Sequence, residues 1–168
     1  IFCLKCIHMD IDGVKIKNLK IHKDIPDTDN SNDKPGILME VLRDDDGLLS
    51  KFGQTTFTVA YPGTIKAFHW HKKQDDLWFF AQGKAMVVLY DLRDDSATKG
   101  ETEVIMADAD NPQLILIPRG VAHGYRALGE EPVLLFYHTT ESYNAAAPDE
   151  ERIPYNDPNI GFGWERAV

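Results

Sequence analysis

The chain predicts an all-β sandwich or closed barrel, on three observations. Apolar runs of strand length recur at short, regular spacing. Glycines and one acidic turn separate them, and no long helical pattern competes. Many short strands between Gly, Pro and Asp turns are the pattern of antiparallel sheets closing on a common core. With 168 residues the chain is the size of one domain.

The elements follow in order. Residues 14–22 (VKIKNLKIH) alternate apolar and basic, as a half-buried strand does. Residues 23–35 form a polar loop. Strand candidates then come at 37–42, 55–61, 65–71, 77–81, 85–91, 103–106, 113–117, 124–128 and 132–140. Glycines at 36, 63, 83, 100, 120 and 129, with the acidic turn at 91–96, punctuate them. Residues 145–168 carry Pro, Asp and Asn turns and read as a tail laid over the barrel, ending near Trp164. Residues 1–13 read as a poorly ordered N-terminal extension, and 14–168 as the single domain. The acidic runs at 44–46 and 149–151 read as solvated turns.

Composition narrows the function. Hydrophobic content of 43% and charged content of 27% are ordinary for a globular domain. A net charge of −9 argues against a partner that is a nucleic acid, which needs a clustered basic face. No apolar run approaches the ~18 residues of a membrane span. Cys3 and Cys6 form a Cys-x-x-Cys without a second ligand pair, so an incidental pair is the preferred reading. The absence of a disulfide framework places the protein in the cytoplasm.

The chemistry concentrates between Gly63 and Gly83, GTIKAFHWHKKQDDLWFFAQG. His69 and His71 stand two apart on a strand, so both imidazoles project to one face. Asp76 follows, and IPRGVAHGY supplies His123 from a later strand. A lone strand histidine is usually an ordinary half-buried polar residue. Three histidines and a carboxylate from separate strands can instead meet inside a small barrel, and that reading is preferred. Trp70, Trp78, Phe79 and Phe80 are assigned to packing. His138 neighbours Tyr137 on the opposite face and takes a structural role. His8 and His22 receive none.

The spacing Gly63-x5-His-x-His-x4-Asp76-x6-Gly83, followed by Pro118-x-Gly120-x-x-His123, resembles the two signature motifs of the cupin superfamily. Over residues 33–164 the chain is similar to the dTDP-4-dehydrorhamnose 3,5-epimerase family (the RmlC-like cupins). The residues carrying this are DKPGILME with Asp33, Gly36 and Glu40, then Gln54, GTIKAFHWH, YDLRDDSATKG, IPRGVAHGY, FYHTTESYN and YNDPNIGFGW. The resemblance implies a cupin jelly roll, usually a homodimer, that needs no cofactor. Its substrate would be a dTDP-linked 4-keto-6-deoxyhexose, with a proton exchanged beside the ketone.

Carried over by position, His69 is the family's base and Tyr137 its acid. His123 is the second barrel histidine, placed to help with the oxyanion. Gln54 and Tyr143 lie at the nucleotide, and Lys66 takes the place of a phosphate-facing arginine. Asp76 occupies the position of the family's catalytic lysine, and Lys72 and Lys73 lie in the adjoining turn. Pro35 replaces an arginine of the family's turn. The Asp that pairs with the family's catalytic histidine beyond the terminal Trp motif has no counterpart after Trp164.

Those departures open a second reading, in which His69, His71, Asp76 and His123 hold a divalent Zn, Ni, Mn or Fe. It would make the chain a metal-dependent dioxygenase or isomerase. A third reading is a sugar-binding cupin without catalysis.

Overall fold

A computed structural model describes residues 10–24 and 36–165. The expectations for Cys3, Cys6, His8, Asp33 and Pro35 lie outside the described residues. The strands are β1 (Lys15–Asn18), β2 (His22–Lys23), β3 (Ile37–Leu38), β4 (Gln54–Ala60), β5 (Ile65–His71), β6 (Asp76–Gln82), β7 (Lys84–Asp91), β8 (Thr102–Asp108), β9 (Gln113–Ile117), β10 (Val121–Leu128), β11 (Val133–Thr139) and β12 (Glu150–Arg152). Five of them form one sheet in the order β1-β9-β6-β11-β4, and five a second in the order β12-β5-β10-β7-β8. From β4 onward the chain crosses repeatedly between the two, as a jelly roll requires. The all-β expectation holds, and among the described residues no helix is long and apolar enough to cross a membrane.

Alternation along each strand sorts side chains into three layers. Trp78, Phe80, Val87, Leu89, Ile115, Ile117, Val133 and Leu135 fill the space between the sheets. Leu77, Phe79, Leu114 and Leu116 face outward from the first sheet, where Met39, Val41, Leu42, Leu48 and Leu49 cover them. Phe68, Met86 and Val88 face outward from the second, beneath Ile153, Ile160, Phe162 and Trp164. The tail therefore lies over the barrel as expected, and the Trp164 indole N–H donates to the Tyr155 carbonyl at 2.8 Å. Phe79 and Phe80 are buried, as their assignment to packing requires, whereas Trp78 is buried but also lines a pocket between the sheets.

Four expectations change. The run at 14–22 divides into β1 and β2, and only Ile37–Leu38 of the run at 37–42 is a strand, because residues 39–42 peel away to cover the sheet. Ordered packing begins before Val14. Ile11 is 1% exposed within the core, and its N–H donates to Glu103 Oε2 at 2.8 Å. Residues 44–46 do stay a solvated turn, a single 3-10 turn with no buried residue, in which Asp46 pairs with Lys17 and accepts the Arg43 N–H. Residues 149–151 are not a free turn, since β12 pairs with β5 through Glu150–His71 and Arg152–His69.

The turn after β7 is held by one carboxylate. Asp91, fully buried, accepts from Arg93 Nε at 2.8 Å, Arg93 Nη2 at 2.7 Å, Ser96 Oγ at 2.5 Å and Thr98 Oγ1 at 2.7 Å. Arg93 Nη2 also donates to the Asp12 carbonyl at 2.6 Å, tying the N-terminal segment to this turn. Burial by itself would raise the carboxyl, but these donors outweigh it and hold Asp91 well below the usual carboxylate range. A depressed folded pKa contributes stability above the unfolded value near 3.9 and loses it as pH falls toward the folded one. The thermal midpoint should therefore drop below about pH 4, and Asp91→Asn should flatten that acid limb. Melting curves between about pH 2 and pH 7 check this, and an unchanged limb in the variant counts against it.

Candidate active site

One pocket of about 720 Å³ opens between the two sheets. Regular alternation supplies most of its wall. Gln54, Thr56 and Thr58 of β4 face it, as do Asp76 and Trp78 of β6, His123 and Tyr125 of β10, and Leu135 and Tyr137 of β11. His138, on the alternate face of β11, points away and meets Thr55 Oγ1 at 2.8 Å. β5 departs from alternation. His123 pairs with His69 and Tyr125 with Lys66, so two steps on β10 oppose three on β5. This bulge turns both Lys66 and His69 into the pocket, although a regular strand would set them on opposite faces. Gly124 makes the approach possible, because a Cβ there would lie 2.3 Å from the Ala67 Cβ.

All eight residues singled out from the sequence line this pocket: Gln54, Lys66, His69, His71, Asp76, His123, Tyr137 and Tyr143. They divide into distinct groups. His69 is half-buried, and its Nδ1 lies 3.4 Å from Glu150 Oε1. Burial acts to raise the Glu150 carboxyl, but a hydrogen bond from Arg152 and the charge of His69 hold it below its ordinary value. Tyr137 stands on the facing sheet, where burial raises its phenol and keeps it protonated. Lys66 donates to Thr58 Oγ1 at 2.5 Å and to the Val59 carbonyl at 2.9 Å, with its amine lowered by burial. Gln54 Oε1 accepts the Tyr143 N–H at 2.7 Å, fixing the loop at the mouth.

His71, Asp76 and His123 form the deeper group, all buried, with ligand atoms within 4.8 Å of one another. The Asp76 oxygens lie 3.9 Å from His71 Nε2 and 3.6 Å from His123 Nε2. His69 is not part of this cluster, so the four-residue ligand set read from the sequence reduces to three. Burial pushes His123 down to about 4, so the ring is neutral at physiological pH. Its Nδ1 lies 3.0 Å from the Val121 carbonyl, which must receive the single ring proton. Nε2 is then a bare lone pair, and His123 has no proton to offer an oxyanion.

Sequence reasoning missed Gln74, Glu141, Ser142, Asn144, Asp149, Glu150 and Arg152, which also line the pocket. Its strongest omission was Glu150. The available signal was the alternation of Glu150 with Arg152, which begins inside the run 149–151 that reads as a solvated turn. Lys73 lines the pocket, whereas Lys72 pairs with Glu151 at 2.7 Å on the surface.

A jelly roll with an imidazole and a phenol on facing walls has the groups that an acid–base isomerase would use. Comparison with known proteins agrees. The family model for dTDP-4-dehydrorhamnose 3,5-epimerase matches residues 11–168. The spore coat polysaccharide biosynthesis protein SpsL of Bacillus subtilis (strain 168) is 57% identical over 92% of this chain and 96% of that protein. The probable low-salt glycan biosynthesis epimerase Agl13 of Haloferax volcanii is 36% identical over 95% of this chain and 97% of that protein. The crystal structure of RmlC from Legionella pneumophila, in complex with dTDP-4-keto-L-rhamnose, superposes with a TM-score of 0.77 at 25% identity, covering 94% and 81% of the two chains. The chain belongs to the dTDP-4-dehydrorhamnose 3,5-epimerase family, a family of isomerases.

Proposed function

We propose that this chain epimerises a dTDP-linked 4-keto-6-deoxyhexose, with His69 as base and Tyr137 as acid. The observation carrying the reading is that these two groups rise from opposite sheets into one pocket. A carbon beside a ketone loses its proton to the imidazole, and the electron pair passes into the enolate. The phenol then protonates the same carbon from the other side, which inverts it. Proton exchange with water restores both groups. Glu150 favours the tautomer carrying hydrogen on Nδ1 and leaves Nε2 of His69 as the basic nitrogen. Lys66, Lys73 and Arg152 line the pocket and supply positive charge for a diphosphate, while Gln54 and Tyr143 stand at its rim for the nucleotide. The Legionella relative, whose ligand is a dTDP-linked 4-keto sugar, supports this substrate class.

The test is incubation with a dTDP-linked 4-keto-6-deoxyhexose in D2O, followed by proton NMR at the carbons flanking the ketone. Deuterium should enter at each inverted carbon, and the number of labelled positions gives the number inverted. Binding without any exchange would leave a sugar-binding module in its place.

The active unit we propose is a homodimer. β4 is the edge of its sheet, and its outward face carries Phe57, 50% exposed, and Val59, 37% exposed. Phe57 packs on Phe136 of β11 at 4.8 Å between ring centroids, extending the apolar patch. An unpaired edge with exposed aromatics is an association surface unless it is covered. A second copy is the simplest cover. Sedimentation should give twice the chain mass, with Phe57→Lys shifting it to the monomer; a monomeric wild-type protein would rule the dimer out.

A further inference from the structure

We propose that His71, Asp76 and His123 form a site for one divalent transition metal ion, separate from the base His69. Three observations converge on it. First, every group in the cluster faces inward as an acceptor. His123 presents a bare Nε2, because its Nδ1 proton is committed to the Val121 carbonyl. Gln74 Nε2, a donor, lies 3.2 Å from His71 Nε2, so that nitrogen too carries a lone pair. Asp76 adds its carboxylate.

Second, the buried charge lacks a cation. Among the described residues no Lys or Arg pairs with Asp76, whose oxygens receive only Gln74 Nε2 at 2.7 Å and the Trp78 indole N–H at 3.2 Å. A buried carboxylate needs a compensating charge or a metal. Third, a carboxylate for the outer shell stands nearby. Nδ1 of His71 is buried with no hydrogen-bond partner, and Asp149 Oδ2 lies 3.9 Å from it. Metal-bound imidazoles typically donate their second N–H to such a carboxylate. Asp149 is itself held by the N–H groups of Lys73 at 2.9 Å and Gln74 at 3.1 Å.

The dimensions suit the ion. Tetrahedral bonds of about 2.0–2.1 Å separate ligand atoms by about 3.3 Å. One ligand atom from each of the three residues lies within 4.8 Å of the others, so binding needs a closure of up to about 1.5 Å to reach that spacing. Two imidazoles and one carboxylate suit Zn, Fe, Mn or Ni and leave at least one coordination position open to the pocket. His69 remains outside, paired with Glu150, so a metal and a free base can coexist. A bound ion would place positive charge on the wall where Asp76 stands in the position of the family's lysine. Only this role rests on the epimerase reading; the site itself does not.

The test uses the full chain, stripped with chelator and titrated with Zn2+ or Co2+ alone. One equivalent should bind, Co2+ should develop visible d–d absorption, and Trp78 fluorescence should change. Asp76→Asn and His71→Gln should each weaken binding by about a hundredfold or more. Circular dichroism and thermal midpoints confirm that the variants fold, and His123→Asn serves if either does not. Absence of binding, or binding that survives these substitutions and disappears with Cys3→Ser, overturns the site. Solvent exchange separates the two proposals. A protein that binds no metal and still exchanges deuterium defeats the metal site alone. Stoichiometric metal without any exchange defeats the epimerase reading alone.

Discussion

Replacing His69 by Asn should lower kcat/KM for epimerisation by about 10²–10⁴-fold, the contribution expected of a positioned general base. Deuterium should then fail to enter the sugar from solvent. Tyr137→Phe should cost a comparable factor in inversion, with a different signature. The imidazole of that variant can still remove a proton, exchange it with D2O and return it to the same face. Substrate should therefore become labelled while its configuration is retained. This asymmetry follows from the placement of base and acid on β5 and β11, which belong to opposite sheets. Isotope incorporation measured beside product formation checks both variants. If His69→Asn labels substrate as fast as wild type, the assignment of the base fails.

Glu150→Gln should reduce kcat by between about tenfold and 10⁴-fold, the upper figure being that of carboxylate removal from a Ser-His-Asp triad. KM should move only slightly. The carboxylate lies 3.4 Å from His69 Nδ1, where it sets the tautomer and stabilises the imidazolium that forms as the proton arrives. Glutamine keeps the size and loses the charge. Because Glu150 also accepts from Arg152 Nε at 2.6 Å, a purely structural role would instead appear as lost stability and a raised KM. Steady-state kinetics and a melting curve on one preparation separate the two. Partial rescue by Glu150→Asp is expected, and equal kcat in wild type and Glu150→Gln would dismiss the pairing.

The fold was legible because period-two alternation and glycine turns are local properties of the chain. β5 and β9 lie at the residues expected, since each is an apolar run bounded by turn residues. The site was legible where alternation holds, as for His69 with His71. It failed where geometry depends on a neighbouring strand. Lys66 and His69 share a face only through the bulge opposite His123 and Tyr125. β12 carries no apolar run, because it is a short edge strand held by pairing with β5, and composition alone gives such a strand the look of a surface loop.

The sequence by itself determined the all-β class, most of the turn positions and the residue types available for proton transfer, since these follow from side-chain periodicity and backbone freedom. Only the tertiary structure decided which histidine does what. A carboxylate eighty-one positions away in the chain claims His69, while burial and a backbone carbonyl remove His123 from proton donation and gather it with His71 and Asp76. Roles of that kind are set by what lies within a few ångströms, because hydrogen bonds and desolvation act at contact distance whatever the separation along the chain.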